Sequence, residues 1–341
     1  MTAMPAATWL PLVWAALIAF AVLAYVLLDG FDLGVGILFL AERRDEDRDV
    51  MVNTVAPVWD GNETWLVLGG GGLFAVFPLA YATIMPALYP TIIGMLLALV
   101  FRGVAFEFRF RAGRRATRRL WDLALFAGSA VAALCQGFTL GGLLQGIRVA
   151  DRHYAGGWWD WLTGFTVFCG IAVVIGYALL GACWLIWRTE GPLQARCREY
   201  ARMLGIATLA AIVAVSLWTP TLNQDYMNSW FAWPAIVATS PVPILVAAVA
   251  WAFWRGLAGP RDVVPLLCAQ ALFVLCFIGL GISVYPHIVP PSITIWQAAA
   301  PPASQAFLLA GTVVLVPIIL SYTGYAYWVF RGKVRPGAHY H

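Results

Sequence analysis

Ionisable side chains inside long apolar stretches are the first residues of this sequence that could carry chemistry. In chain order they are Asp29, Asp32, Asp60, Glu63, Arg102 and Glu107. A charged side chain within a membrane span costs about 2.5–3.5 kcal/mol on insertion scales, so such residues usually mark ion or proton pathways. Several acids beside one arginine indicate carboxylates that exchange protons, whereas a lone pair would indicate a structural contact.

The stretches that must position these groups are predicted to be membrane-spanning helices. Hydrophobic residues make up 62% of the chain and charged residues 11%, whereas a soluble domain carries about 25% charged residues. We therefore predict one all-α, polytopic membrane domain over residues 1–341, with about nine transmembrane helices arranged in helical bundles. The predicted spans are 9–40, 54–77, 81–108, 120–146, 160–187, 200–218, 230–254, 263–285 and 304–330.

The distribution of basic residues predicts the orientation of these spans. Of the 21 Lys and Arg residues, all follow odd-numbered spans except Arg148, Arg152 and Arg102. Positively charged loops remain in the cytoplasm, so the N-terminus is predicted to be outside and the C-terminus cytoplasmic. The arginines lie in short loops between apolar runs, which argues against a nucleic-acid partner and for membrane lipid.

Four of the candidate side chains are expected to lie at a similar depth. A rise of about 1.5 Å per residue places Asp32 and Asp60 roughly 15–17 Å from the cytoplasmic loops, and Arg102 roughly 10 Å. Asp29 shares a helix face with Asp32 because residues i and i+3 are neighbours. Consecutive antiparallel helices usually pack together, so we expect these groups to converge.

Two interpretations of this convergence remain open. It could form a proton-uptake path from the cytoplasm in which Arg102 tunes the carboxylates, or a structural ion-pair cluster that joins the first three helices. Glu107 lies near the interface, where it could extend to water instead. Glu63 could equally face a partner subunit.

No predicted span contains a histidine, the commonest ligand of haem and metal ions. The four histidines, His153, His287, His339 and His341, lie in loops or in the tail. Haem ligation inside a membrane normally needs His, Met or Cys directed into a bundle. The six cysteines lack zinc-site or CxxC spacing. We therefore predict that this chain binds no haem or metal itself, contains no catalytic residue, and leaves redox chemistry to another chain.

Four segments resemble one family, subunit II of cytochrome bd-type quinol oxidases. The segments are DGFDLGVG at 29–36, APVWDGNETWL at 56–66, FRGVAFEFR at 101–109 and YPHIVPP at 285–291. The resemblance is close over the first third of the chain and looser beyond it. The compact length would suit the cyanide-insensitive branch of the family.

The resemblance implies a specific function and specific partners. A subunit I would carry two b-type haems and haem d, and the complex would oxidise quinol and reduce dioxygen to water in the bacterial inner membrane. In the family, residues matching Asp32, Asp60 and Arg102 are associated with a proton route towards the haems, and Asp29 less firmly so. The resemblance leaves open a structural quinone in this subunit and a small single-helix accessory subunit.

Two alternative functions also remain open. A proton-coupled secondary transporter would explain the glycine run 69–72 and the helix prolines Pro86 and Pro90, since interrupted spans often mark substrate sites. An assembly scaffold for a haem-bearing subunit would need no proton path. A transporter should function without a haem subunit, whereas the scaffold would affect haem content rather than turnover.

Overall fold

Long helices account for most of the computed structural model, which describes residues 6–335 and side chains from residue 8 onward. The helices are α1 (Ala6–Leu38), α2 (Asp45–Val55), α3 (Trp59–Val76), α4 (Pro78–Arg111), α5 (Arg115–Gln145), α6 (Gly164–Arg188), α7 (Gly191–Trp218), α8 (Gln224–Phe231), α9 (Ala235–Thr239), α10 (Pro241–Ala258), α11 (Val264–Val284), α12 (Ile295–Ala298) and α13 (Pro302–Val329). Helices satisfy every backbone group within one segment, as an apolar environment requires. The predicted all-α class is confirmed.

Eight helical stretches of the described residues are long and apolar enough to cross a membrane. Helix α3, which corresponds to the predicted span 54–77, is not among them. It has 18 residues, and its first turns carry Asp60, Asn62 and Glu63, which lower its hydropathy. The count of nine spans and the orientation of the chain stay predictions.

Two predicted spans begin several residues too early, where proline interrupts the helix, and the sixth predicted span begins too late, since its helix starts at Gly191 rather than at 200. Residues 45–55 form a separate helix, α2, and the turn that follows it includes Pro57, so the second span begins at Trp59. Proline removes a backbone donor and restricts the residue before it. The predicted span 230–254 likewise starts too early, because the apolar helical stretch begins at Ala235, directly after Pro234, and its long helix α10 begins at Pro241.

Close contact between α1 and α6 depends on glycine. A Cβ atom on Gly34 would overlap the carbonyl oxygen of Tyr177, and one on Gly181 would overlap the backbone of Gly34. Helix α1 also packs against α3 and α5, and α4 packs mainly against α5. Helices α1 and α3, which carry four of the candidate acids, therefore lie side by side.

Two short hairpins lie at the end of the bundle opposite the arginine-rich loops. They pair β1 (Val149–Ala150) with β2 (His153–Tyr154), and β3 (His287–Val289) with β4 (Ile293–Thr294), both antiparallel. The Ile147 amide donates to the Pro290 carbonyl at 3.0 Å and so links the two loop regions. These strands were not predicted, since each has only two or three residues.

Candidate functional site

A buried ion pair between α1 and α4 forms the centre of the candidate site. Nη2 of Arg102 lies 2.8 Å from Oδ1 of Asp29, and both side chains are 0% exposed. A Cβ on Gly128 of α5 would meet the Ala98 carbonyl and the backbone of Arg102, so this glycine lets α5 approach α4 here. A buried charge is tolerated when it is paired, and the sequence-predicted meeting of Asp29 with Arg102 is observed.

Asp32 lies one turn further along α1 and has a different partner. Its Oδ2 accepts a hydrogen bond from Nδ2 of Asn62 at 2.7 Å, and Oδ1 of Asn62 accepts one from the Tyr327 hydroxyl at 2.9 Å. Asp32 is fully buried and within electrostatic range of Asp29 and Arg102. A short polar chain thus connects α13, α3 and α1.

Glu63 brings a third acid to the same guanidinium. Its Oε2 lies 3.8 Å from Nη1 of Arg102, and its side chain is 27% exposed. Arg102 therefore faces Asp29 on α1 through one terminal nitrogen and Glu63 on α3 through the other. The excess of acids expected from the sequence is present around this arginine.

The helix along which the depth of Asp60 was calculated is interrupted. The estimate assumed one continuous helix from Asp49, but α2 ends at Val55 and α3 begins at Trp59. Asp60 consequently lies in the first turn of α3, with an exposed side chain. It stands one turn before Glu63, at the edge of the cluster rather than beside Arg102.

Glu107 also lies outside the cluster. Its side chain is 57% exposed and lies 3.6 Å from Nη2 of Arg111, one turn along the same helix. An exposed i,i+4 pair contributes little to stability. The alternative in which Glu107 extends to the surface therefore describes its position better than membership of the cluster.

Several polar atoms at the centre of the cluster have no hydrogen-bond partner among the described residues. They include Oδ2 of Asp29, Oδ1 of Asp32 and Nε of Arg102, all fully buried. Buried polar groups in proteins nearly always bind a protein group or an ordered water molecule. These atoms are therefore suited to contact water.

A second polar group continues from the cluster towards the middle of the bundle. The amide of Gln136 on α5 donates to the Tyr25 hydroxyl at 2.8 Å and accepts from the Tyr177 hydroxyl at 2.7 Å. Tyr25 precedes Asp29 by one turn of α1, so the two groups share a helix face.

Sequence reasoning missed Asn62, Gln136 and the tyrosines because it weighed only ionisable residues. A search for any hydrogen-bonding side chain in an apolar run would have found Asn62 and Gln136.

A network of ion pairs covers the arginine-rich end of the bundle. Arg109 is 1% exposed, and its guanidinium contacts Asp122 at 2.7 Å and Asp49 at 2.6 Å. Arg118 also pairs with Asp49. The predicted span 81–108 leaves Arg109 in a loop, whereas Arg109 lies on α4, which extends to Arg111.

Asp262, in the loop between α10 and α11, ties the segment after α13 to the bundle. It receives a hydrogen bond from Lys333 Nζ at 2.5 Å, one from Arg198 at 2.5 Å and one from Gln194 at 3.0 Å. Burial alone would raise the pKa of this carboxyl, but the hydrogen bonds and positive charges outweigh burial and hold the pKa below its ordinary value.

The histidines of the described residues lie outside the long helices. His153 and His287 lie in the two hairpins, and His339 and His341 lie outside the described part of the chain. Residues 6–335 contain no group of three or more His, Cys, Asp and Glu side chains that could hold a metal ion.

Comparisons with known proteins agree with this geometry. The family model described as cytochrome bd terminal oxidase subunit II matches residues 10–330. The chain is 30% identical to cytochrome bd-I ubiquinol oxidase subunit 2 of Escherichia coli K12, and the alignment covers 94% of each chain. It is 28% identical to cytochrome bd ubiquinol oxidase subunit 2 of Bacillus subtilis, over 94% of this chain and 96% of that one.

A solved structure shows the same fold. It is the bd oxidase from Geobacillus thermodenitrificans, with a TM-score of 0.77 at 14% identity, covering 94% of this chain and 98% of the matched one. The family match extends over most of the chain, including all the residues of the buried cluster. This chain therefore belongs to the subunit II family of cytochrome bd terminal oxidases, and so is a subunit of a quinol oxidase complex.

Proposed function

We propose that this chain is the haem-free subunit II that supplies cytoplasmic protons for the reduction of dioxygen to water. The observation that carries the proposal is the buried Asp29–Arg102 pair, with Asp32 and Glu63 beside it. Three carboxylates against one permanent cation leave uncompensated negative charge in a buried place, and bound protons reduce the energetic cost of that charge.

The hydrogen bonds suggest an order for the path. Tyr327 and Asn62 connect to Asp32, and Asp32 shares a face of α1 with Asp29. The fixed pair of Asp29 with Arg102 stands beside Asp32 and also contacts Glu63, with the exposed Asp60 one turn away. In this proposal protons move between carboxylates through water, and Glu63 and Asp60 provide the end of the path that faces subunit I.

The proposed haem arrangement follows from the family and from the positions of the histidines. The two b-type haems and haem d lie in subunit I, which oxidises quinol, so electrons do not pass through this chain. Nine membrane-spanning helices, an outside N-terminus and the bacterial inner membrane belong to the same proposal. A structural quinone and a small accessory subunit stay predictions. Family membership leaves the transporter hypothesis without support.

Substitution of Asp32 by Asn tests the proton path. Asparagine keeps the size and can still accept the hydrogen bond from Asn62, but it carries no exchangeable carboxyl proton. We expect oxygen consumption per haem to fall about 100-fold, as on loss of a proton-transfer group, with haem content unchanged. The matched control is Glu199→Gln, which neutralises an exposed acid on α7 outside the cluster.

The same variants distinguish the proton path from a scaffold function, in which the 2.8 Å pair of Asp29 with Arg102 would only join α1 to α4. A scaffold role predicts that Asp32→Asn lowers haem content while turnover per haem stays at the wild-type value. Wild-type turnover together with wild-type haem content would remove Asp32 from both functions.

A further inference from the structure

A basic cavity at the arginine-rich end of the bundle lies outside the buried cluster. It has a volume of about 230 Å³ and is lined by Arg43, Asp45, Arg48, Arg115, Arg118, Arg119 and Asp122. A water molecule occupies about 30 Å³ of liquid, so the cavity has room for a group several times larger. We name this lining the arginine cavity.

The position of the arginines in the fold explains how they come together. Arg115, Arg118 and Arg119 share one face of the first turns of α5, since they are three and four residues apart. Arg48 lies on α2, and Arg43 on the segment before it. The segment before α2, α2 itself and the start of α5 thus direct positive charge to one cavity.

The carboxylates of the arginine cavity are already engaged. Asp122 binds Arg109 at 2.7 Å and Arg48 at 3.0 Å, and Asp45 lies 3.8 Å from Arg48. Arg118 pairs with Asp49, outside the lining. The five arginines therefore exceed the two acids of the lining by three positive charges.

Three of the arginines retain free donor groups. Arg43, Arg115 and Arg119 are exposed and have no ion-pair partner among residues 8–335. Arg118 is only 30% exposed, and its Nε is buried without a hydrogen-bond partner in the described part of the chain. Arginines that served only to keep a loop in the cytoplasm would not need to line one cavity. Guanidinium groups bind phosphate through paired hydrogen bonds.

Apolar side chains next to the cavity indicate which phosphate compound fits. Leu120 and Leu123 of α5 follow the cavity arginines in the sequence and are 67% and 51% exposed. A soluble phosphate compound would leave these leucines uncovered, whereas the acyl chains of a phospholipid would cover them. We propose that the arginine cavity binds the phosphate headgroup of an anionic phospholipid, with its acyl chains along α5.

Native mass spectrometry of the purified oxidase complex can test this site. The probe is short-chain phosphatidylglycerol, compared with phosphatidylcholine and with inorganic phosphate. The cavity variant is Arg115→Gln with Arg119→Gln, which breaks no ion pair among the described residues. The control is Arg111→Gln with Arg114→Gln, which removes two charges from the same region outside the lining. Haem content and thermal midpoint verify that each complex is intact.

The proposal expects phosphatidylglycerol to bind the wild type and the control equally. Binding to the cavity variant should weaken about thirtyfold, because each basic residue near a lipid headgroup contributes about 1 kcal/mol. Substitution of both arginines by Lys should retain most of the binding.

Three results would overturn the proposal. They are equal losses in the cavity and control variants, equal binding of phosphatidylcholine, and a site that inorganic phosphate fills in place of the lipid. Absence of phosphatidylglycerol from the wild-type complex would also overturn it, and would indicate that a partner subunit covers the cavity. None of these results depends on the proton path.

Discussion

Removal of the Asp29 charge is the most direct perturbation of the buried cluster. Asp29→Asn keeps the volume of the side chain but leaves Arg102, which is 0% exposed, without its 2.8 Å counter-ion. Breaking a buried ion pair by neutralising one partner costs about 3–5 kcal/mol, because the other charge stays buried. We therefore expect a clear loss of stability.

The position of Glu63 sets how much of that loss is recovered. At an effective dielectric constant near 20, unit charges separated by 2.8 Å attract by about 6 kcal/mol and those separated by 3.8 Å by about 4 kcal/mol. Glu63 already makes the weaker contact in the wild type. It can offset part of the loss only by moving closer to Arg102, so we expect the lower part of the range, about 3 kcal/mol.

Buried cysteine thiols supply the assay. Cys183 is 0% exposed and Cys197 is 1% exposed, so with the exposed Cys276 replaced by Ser a thiol-reactive fluorophore reports unfolding around these residues during heating of the complex. We expect the midpoint of Asp29→Asn to fall by several degrees. The double variant Asp29→Leu with Arg102→Met should recover most of that loss, because it removes both charges and fills similar volume.

An unchanged midpoint in Asp29→Asn would refute this reasoning. It would mean that the pair contributes no net stability, so that Arg102 finds equal compensation elsewhere. A double variant less stable than the single one would also contradict the account, because loss of a matched pair should cost less than an isolated charge.

Two further predictions concern Tyr327, at one end of the polar chain to Asp32, and Asp262, which binds the segment after α13. Tyr327→Phe removes the hydroxyl that donates to Asn62 at 2.9 Å. We expect oxygen consumption per haem to fall several-fold, with the thermal midpoint nearly unchanged. An unaffected rate would remove Tyr327 from the path. Asp262→Asn should lower stability on the order of 1 kcal/mol at neutral pH. Since the folded pKa of Asp262 is depressed, its contribution exists above the unfolded pKa near 4. The thermal midpoints of the wild type and this variant should converge as pH falls through the folded pKa, and a gap that persists in acid would contradict the assigned cause.

The sequence predicted the helical class and the Asp29–Arg102 contact for reasons that the structure makes clear. Long apolar segments form helices, because in lipid the backbone N–H and C=O groups must form their hydrogen bonds within the segment. Charged residues in such helices must find partners, so an arginine and an aspartate at similar depth were expected to meet. This reasoning needs only residue type and approximate height.

Asp60 shows where that reasoning fails. Its depth was calculated from a constant rise per residue, which holds only within one helix. The turn that follows Val55 ends α2, and α3 starts at Trp59, so Asp60 lies at a helix start. Height along a helix cannot be calculated until the breaks are known, and Pro57 was the available signal.

The long-range hydrogen bonds could not be predicted for a different reason. Tyr327 and Asn62 are separated by 265 positions in the sequence, and Tyr25 and Gln136 by 111. Each pair requires a particular rotation of two helices about their axes. Glycine contacts such as Gly34 against α6 fix that rotation, and no local pattern of residues specifies which helices these glycines bring together.

The chemistry of arginine connects the two roles considered for the cluster. A guanidinium stays protonated in proteins and offers several donors in a fixed plane, so Arg102 cannot itself pass on its proton. Its two terminal nitrogens face Asp29 on α1 and Glu63 on α3, which lets one residue of α4 hold two other helices. We therefore expect Asp29 to serve as the fixed counter-ion, while Asp32 and Glu63 remain free to gain and lose protons. Structural pairing and proton transfer would then be properties of different acids around one cation, and substitution of Asp29 should affect stability first, whereas substitution of Asp32 should affect turnover first.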